Sequence, residues 1–224
     1  MIALVEGETE ETFVNEVLSE HLRARGYNEV SARRMGLGPR RGGIVAWSAA
    51  RKDIIRHLRQ DRTWLVTTMV DYYALPKSPA KGWPGRAAAQ NLPFARRASS
   101  VEANLHADVA SEMGRNFDPS RFLPFVVMHE FEGLLFSDCT RFASAIGRPD
   151  LAADLQGIRD GYATPEEIND SQTTAPSKRV EALVPGYTKP LFGTLAALEI
   201  GLPAMRAECP HFRSWIERLE AWAQ

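Results

Sequence analysis

Trp64-Leu-Val-Thr-Thr-Met-Val-Asp71 is the stretch of sequence that decides the fold class. Its first seven residues are rich in strand-forming side chains and predict a buried strand that runs directly into an aspartate. Residues 2–5 form a shorter apolar run that ends in the same way, at Glu6. Residues 122–128 form a third apolar run, in which Pro124 indicates an edge strand or a bulge.

Helices are predicted between these strands. Apolar residues recur at helical spacing from Phe13 to Leu22, over 45–60 and over 99–113, and residues 28–34 are a candidate further strand. This alternation predicts an α/β fold with a mostly parallel sheet flanked by helices. After about residue 130, repeated glycines and prolines favour short helices. We therefore expect an α/β core over 1–138 and a helical C-terminal part over 139–224, packed on that core.

Composition and charge limit the classes of protein. The 224 residues are 44% hydrophobic and 25% charged, with a net charge of −1, so no global charge signal points to nucleic acid or membrane. Cys139 and Cys209 are the only cysteines, which favours a reduced, cytoplasmic chain. The acidic N-terminus and the short apolar runs predict neither a signal peptide nor a membrane-spanning helix. The sequence leaves open whether the chain forms a homo-oligomer.

Acidic residues follow all three predicted strands. Glu6 ends the first, Asp71 the second, and Glu130 or Glu132 the third, while Glu10 lies one helical turn after Glu6. Because the carboxyl ends of parallel strands meet at one rim, we expect these acids to lie together. Such a cluster repels itself unless a cation neutralises it, and its hard oxygen ligands suit Mg²⁺ or Mn²⁺. Acids at strand ends also cap the helices that follow, and this structural interpretation stands beside the first.

Three motifs built on these acids resemble those of toprim nucleases. Val-Glu-Gly-Glu-Thr-Glu at 5–10 looks like the opening toprim motif, and Asp-Tyr-Tyr-Ala-Leu-Pro at 71–76 lies where toprim proteins carry Asp-x-Asp. His-Glu-Phe-Glu-Gly-Leu-Leu-Phe at 129–136 is similar to a segment of the OLD (overcoming lysogenization defect) nucleases that supplies a later glutamate. With the segments at 168–179 and 209–212, the set resembles a bacterial toprim-like family, known chiefly by its sequences, over nearly the whole chain.

This resemblance implies a Rossmann-like toprim fold and a Mg²⁺-dependent (or Mn²⁺-dependent) endonuclease or nickase. It implies Glu6, Asp71 and either Glu130 or Glu132 as metal ligands, with Glu132 favoured and Glu10 in a supporting role. It also implies an ABC- or AAA-type ATPase as a partner, in a two-component system for phage defence or DNA repair.

One position departs from the toprim pattern. Tyr73 stands where the second aspartate is expected, and a phenol is a poor Mg²⁺ ligand. A second metal position is then weak, rebuilt with Glu130, Glu132 or Asp138, or lost. The alternative function is a non-catalytic, toprim-derived module that binds nucleic acid or regulates the ATPase.

Basic residues supply candidate nucleic-acid contacts. No acid lies between Asp71 and Glu102, and five cations are found there, with Trp83 and Phe94 among them: Lys77, Lys81, Arg86, Arg96 and Arg97. We predict that the proline-rich excursion over 75–97 is mobile without ligand and forms one wall of a nucleic-acid channel. A second acid-free stretch, over 30–52, contains six cations: Arg33, Arg34, Arg40, Arg41, Arg51 and Lys52.

The resemblance to OLD-like nucleases further implies a lysine beside the scissile phosphate. Lys178 is our candidate, because Pro176-Ser177 is predicted to open a helix whose N-terminus favours anions. Ser177 as the N-cap of an ordinary helix explains the same residues equally well. Lys189 is the alternative lysine.

Overall fold

A parallel sheet forms the centre of the computed structural model, which describes residues 1–36, 43–169, 171 and 173–223. Within these residues the sheet has five strands: β1 Ile2–Val5, β2 Ser31–Arg34, β3 Val66–Asp71, β4 Phe122–Leu123 and β5 Val126–Val127. Their order is β2-β1-β3-β4, with β5 also paired to β3, and each of these pairs is parallel. The predicted sheet is therefore confirmed.

Helices separate the strands and follow the last of them. They are α1 Glu8–Thr12, α2 Ser19–Arg23, α3 Trp47–Gln60, α4 Arg86–Ala89, α5 Phe94–Met113, α6 Glu132–Leu135, α7 Cys139–Ala145, α8 Ala152–Asp160, α9 Pro176–Leu183, α10 Thr194–Glu208 and α11 Pro210–Trp222. Phe13–Leu18 between α1 and α2, and Lys189–Gly193 before α10, are π-helical. The helical last third is confirmed. In the described part of the chain, no helix combines the length and the apolar character needed to cross a bilayer.

Both faces of the sheet are covered, because successive strand residues point to opposite sides. Ile2 and Leu4 pack in a core with α3 and α5, whereas Ala3 and Val5 pack with the first helices and with the C-terminal helices. Trp215 of α11 stacks on Phe125, with ring centroids 4.3 Å apart. The C-terminal helices thus share a core with the sheet, and the division of the chain at 138 and 139 stays a prediction.

Pro124 divides the third predicted strand into β4 and β5, at one edge of the sheet. Beside the break, the Thr68 hydroxyl accepts a hydrogen bond from Phe125 N and donates one to Phe125 O, both at 3.0 Å. The hydroxyl of Thr67 donates to Leu123 O. These side chains satisfy backbone groups where proline interrupts the ladder, so the expected edge irregularity is confirmed.

Candidate metal centre

A crevice opens where the strand order reverses. The chain goes from β1 outward to β2 and then returns to β3 on the other side of β1. Such a reversal leaves a binding crevice outside the carboxyl ends of the strands. Glu6 follows β1 and Asp71 ends β3, so both acids lie at this rim. A pocket of about 260 Å³ is lined there by one ammonium, that of Lys189, and by four buried or partly buried carboxylates, those of Glu6, Glu10, Asp71 and Glu132, with the exposed Glu8 at its edge.

Glu10 reaches the pocket by folding back over the start of α1. Its Oε2 accepts a hydrogen bond from Gly7 N at 3.0 Å. A Cβ at position 7 would lie 2.8 Å from the same oxygen, so a side chain there would push the Glu10 carboxylate out of this arrangement. Glu10 therefore does what the structural interpretation expects, since it satisfies a backbone donor at a helix start, and it also faces the pocket.

Asp71 links β3 to the segment that carries the later glutamates. Its side chain is buried, and its Oδ1 accepts a hydrogen bond from Phe131 N at 2.9 Å. Its own N–H donates to Glu6 Oε2 at a longer 3.4 Å. Asp71 is thus in contact with both neighbouring acidic segments, and its position depends on both.

The chain turns sharply before Glu130 and Glu132. His129 has a φ of 61°, the only positive φ at a non-glycine residue in the described part of the chain. A left-handed conformation costs a residue about 1–2 kcal/mol, and such strain is concentrated at functional sites. Strand β5 ends at Val127, Glu130 follows the left-handed residue, and Glu132 begins α6. A left-handed residue cannot continue a strand.

Lys189, the alternative lysine, lies beside the carboxylates. Its Nζ is 2.9 Å from Glu132 Oε2 and 3.5 Å from Glu130 Oε1. The preferred candidate, Lys178, instead pairs with Glu181 at 2.6 Å on the surface. The cation of the pocket is therefore Lys189, and our preference for Lys178 was wrong on this point.

The start of α9 does bind an anion, but the anion belongs to the protein. Ser177 N donates to Glu130 Oε2 at 3.0 Å, so a carboxylate from the strand end occupies the helix N-terminus. The residue at the N-cap position is Ala175, not Ser177. Lys178, in the first turn of this helix, consequently has no part in the pocket.

The π-helical turn Lys189–Gly193 is held against α1. The Thr9 hydroxyl donates to Lys189 O at 3.3 Å. A Cβ at Gly193 would lie 3.1 Å from the Thr9 methyl group, so the close approach of the two elements favours glycine. In the same region, the buried Tyr187 hydroxyl has no hydrogen-bond partner among the described residues. π-Helical turns are rare and occur often at functional sites, but nothing in the sequence pattern indicated this one.

Burial and repulsion raise the pKa values of the pocket acids. Loss of water is the largest cause, and it raises the pKa of Glu10 from 4.5 to about 7. The pKa values of Glu6, Asp71 and Glu132 are raised by burial and by neighbouring carboxylates, while Lys189 opposes the shift. Burial disfavours the Lys189 ammonium, but the carboxylates outweigh it and raise its pKa. One ammonium does not neutralise four carboxylates, so the pocket favours a further cation.

The donor set of the pocket fits a hard divalent ion. Carboxylate oxygens are the ligands that Mg²⁺ and Mn²⁺ prefer. Among the residues that the structure describes, no three acidic, histidine or cysteine side chains are already placed to hold an ion together. Lys189 contacts Glu132 in the arrangement seen. Binding of an ion therefore requires the carboxylates to rotate toward it and away from Lys189.

Neither Tyr73 nor Asp138 supports a second metal position. The Tyr73 side chain is 39% exposed and stands outside the pocket lining. Asp138 is the N-cap of α7, where its Oδ1 accepts from Arg141 N at 2.9 Å. Only Glu130 and Glu132 remain close to the other acids.

The excursion over 75–97 is packed where we expected mobility. Leu75, Trp83 and Arg86 are buried, and the Trp83 indole donates to Val45 O at 2.9 Å. Arg86 cannot bind nucleic acid, because its guanidinium lies 3.7 Å above the Tyr72 ring and its Nε donates to Tyr72 O. The remaining cations are exposed or partly exposed, and nucleic-acid contact by them stays a prediction: Lys77, Lys81, Arg96 and Arg97.

Arg86→Ala is expected to destabilise the protein by about 2–4 kcal/mol, since it leaves a cavity beside the Tyr72 ring and removes a buried hydrogen bond to Tyr72 O. Urea denaturation followed by circular dichroism measures the change. Arg96→Ala is the matched control, because Arg96 is exposed and its loss is expected to change stability by less than about 0.5 kcal/mol. Equal stability of the two variants would contradict a structural role for Arg86.

Fold and site together define an α/β protein of the doubly wound type with an acidic, lysine-containing crevice at its topological switch point. Residues 5–220 match the family described as Domain of unknown function (DUF4276), and the chain belongs to that family. Comparison with curated proteins and with solved structures gave no match.

Proposed function

We propose that this protein is a toprim-type, metal-dependent nuclease that cleaves phosphodiester bonds of DNA or RNA. The observation that carries the proposal is the convergence of Glu6, Glu10, Asp71 and Glu132 with Lys189 in one pocket. These acids come from three separate segments, each of which carries a motif that resembles a toprim motif. If these acids had only a structural role, nothing would require several buried carboxyl groups with raised pKa values at one rim of the sheet.

In the proposed site, Glu6, Asp71 and Glu132 hold Mg²⁺ or Mn²⁺, while Glu10 and Glu130 support them. The ion supplies charge neutralisation at the phosphate and activation of water. The Lys189 ammonium, released from Glu132, stabilises the charge that develops on the phosphate oxygens. Glu10, with a pKa of about 7, is suited to exchange a proton near neutral pH.

The test is plasmid nicking with Mg²⁺ or Mn²⁺, with a chelator as the blank. Lys189→Gln is expected to lower the rate by about 100–1,000-fold, the usual cost of losing one preorganised charge-stabilising donor. Its affinity for Mn²⁺ in calorimetry is expected to be retained or increased, since Glu132 loses a competing cation. Lys178→Gln is the matched control and is expected to cut at the wild-type rate, because Lys178 pairs only with Glu181.

Two results would contradict the proposal. Wild type that nicks no DNA or RNA with either ion would remove the catalytic function. Equal nicking rates for Lys189→Gln and Lys178→Gln would show that Lys189 has no role in cleavage. This result would not test the role of the carboxylates.

A second candidate is a toprim-derived module that binds nucleic acid or regulates a partner without cutting. The exposed Tyr73 in place of an aspartate favours it. An ABC- or AAA-type ATPase, in phage defence or DNA repair, is the partner that the family resemblance implies. Leu191, Leu195 and Leu198 offer an apolar surface beside Lys189, since each side chain is 43–57% exposed. Calorimetric titration with Mn²⁺ separates the candidates, because binding that is lost in Asp71→Ala supports the enzyme and no binding by wild type supports the module.

A further inference from the structure

Positive charge is concentrated in one part of the chain. Residues 30–70 contain nine Lys and Arg against two Asp, whereas the whole chain has a net charge of −1. The described residues of this segment form β2, α3 and β3. The cations of β2 and α3 are thereby gathered at one edge of the sheet, although Arg40 and Arg41 lie outside the described residues.

One groove lies between β2 and α3. Its volume is about 290 Å³, and its charged or titratable side chains are three arginines, one histidine and two carboxylates: Arg33, Arg34, Arg56, His57, Glu29 and Asp53. Ile2 and Leu4 of β1 contribute apolar atoms to the lining. Arg33 pairs in register with Leu4, so both side chains lie on the same face of the sheet. Helix α3 covers this face at Leu4 of the neighbouring strand β1. The edge strand is left partly uncovered on this face, and Arg33 is exposed there.

A second groove, of about 600 Å³, lies on the other side of the exposed ridge of α3. It shares Arg56 and Gln60 with the first groove and is also lined by Lys52 and Arg59, and by Arg51 and Glu112, which form an ion pair at 3.7 Å. Lys52, Arg56 and Arg59 follow the i, i+4, i+7 spacing of one helix face. They extend over about 10 Å of helix axis, which spans about three phosphates of a nucleic-acid strand.

Several of these cations are not neutralised by the protein. Arg56 pairs with Asp53 at 3.0 Å. In contrast, Arg33, Lys52 and Arg59 form no ion pair within the described ranges. A charged helix face is often merely solvated, but a row of three cations, of which Lys52 and Arg59 are unpaired within the described ranges, is suited to a polyanion when grooves flank it.

The first groove runs from one end of the strands to the other. Gly36, which follows β2, lines one end, whereas Glu29, Gln60 and Trp64 line the end at which the strands begin. Gly36 N donates to Asp53 Oδ2 at 3.3 Å, which holds the Gly36 end of the first groove to α3. Gly43 lines the acidic pocket, and its N–H donates to Glu6 O at 2.9 Å. The chain enters α3 at Trp47, four residues later.

We propose that the β2–α3 surface, formed by Arg33, Lys52, Arg56 and Arg59, binds the phosphodiester backbone of a nucleic acid. This inference rests on the proposed nuclease function and assigns its substrate-binding surface to a different part of the molecule from the 75–97 excursion. Arg56 forms an ion pair with the buried Asp53, so its substitution could also lower stability. The test variant therefore keeps Arg56.

The test is binding of labelled single-stranded and duplex DNA of one sequence, measured by fluorescence anisotropy in a chelator at several salt concentrations. The combined variant Arg33→Gln, Lys52→Gln, Arg59→Gln is expected to bind about 100-fold more weakly at 0.1 M salt. The slope of log affinity against log salt should fall by about 2, since each lost phosphate contact removes about 0.7–0.9. Glutamine keeps the helix propensity, and the free energy of unfolding is measured alongside.

The matched control removes three exposed cations from the helices on the opposite face of the sheet: Arg23→Gln, Arg213→Gln and Arg218→Gln. It is expected to keep the wild-type salt slope. A third variant, Lys77→Gln, Lys81→Gln, Arg96→Gln, tests the excursion. The proposed role of the β2–α3 surface is contradicted if the control variant loses as much affinity as the β2–α3 variant. It is also contradicted if only the excursion variant loses affinity.

Failure of this inference is distinguishable from failure of the proposed function. Wild type that nicks plasmid, together with a β2–α3 variant of unchanged affinity and slope, overturns the surface alone. Wild type that binds through this surface but never cuts overturns the nuclease function alone. Wild type that binds neither form of DNA, nor RNA of the same sequence, overturns the surface.

Discussion

Asp71→Asn is expected to lower metal-dependent cleavage by at least about 100-fold. Loss of a group that merely supports a metal ligand already costs 10–100-fold in activity or affinity, and Asp71 is proposed as a ligand itself. The fold should be retained, because the amide oxygen of asparagine can still accept the hydrogen bond from Phe131 N. Single-turnover nicking at saturating Mn²⁺, with calorimetry on the same samples, measures both activity and metal affinity.

Asp154→Asn is the control for this substitution, since Asp154 is an exposed aspartate on α8, away from the pocket lining. It should leave the nicking rate unchanged. A folded Asp71→Asn protein that nicks at the wild-type rate would show that the acidic pocket is not where cleavage occurs.

The acids at the strand ends could be predicted because local patterns determine them. A run of strand-forming residues fixes where β1 and β3 end, and parallel pairing brings those ends to one rim. Glu6 and Asp71 follow from this without any knowledge of side-chain packing. Glu10 follows from helix spacing, because the first turn of α1 begins directly after Gly7.

Lys189 could only be an alternative, because its position depends on packing between distant segments. Thr9 and Lys189 lie 180 residues apart in the chain and are in contact. The π-helical turn and the left-handed His129 have no reliable local signature, yet they place Lys189 and Glu132 together. Sequence patterns identified the acids of the pocket but not the cation that faces them.

Arg86 shows why charge alone is a poor guide to binding residues. In the sequence it belongs to an acid-free stretch with prolines and looks like a surface cation. In the structure its guanidinium covers the ring of Tyr72, inside the core between the sheet and α5. A long side chain can bury its stem and stack on an aromatic ring, so exposure cannot be inferred from residue type.

The metal-free protein is expected to lose stability as the pH rises from 5 to 7.5. Glu10 has a pKa of about 7 in the folded protein against an ordinary value of 4.5, so the folded state holds this proton more tightly than the unfolded chain. Its contribution is fully present below about pH 4.5 and is lost as the pH rises through about 7, which amounts to about 3 kcal/mol. The raised pKa of buried Asp71 acts in the same direction.

Urea denaturation in a chelator at several pH values tests this expectation. Glu10→Gln should flatten the pH dependence, because the amide keeps the hydrogen bond from Gly7 N but carries no charge. Glu16→Gln, at an exposed position of the first helices, is the control and should follow wild type. An unfolding free energy that increases from pH 5 to 7.5 in the chelator would show that the pocket acids are not protonated as inferred.

Divalent metal should reverse this trend, because an ion binds the deprotonated carboxylates of the folded state. At a concentration 100 times its dissociation constant, Mn²⁺ adds about 2.7 kcal/mol to the unfolding free energy. This gain should appear above about pH 7, where Glu10 is ionised, and shrink toward pH 5. Asp71→Asn should abolish it at every pH, whereas Lys189→Gln should keep it, since only the first of these substitutions removes a proposed ligand. The same titration therefore separates the role of the acids from that of the lysine without any measurement of cleavage.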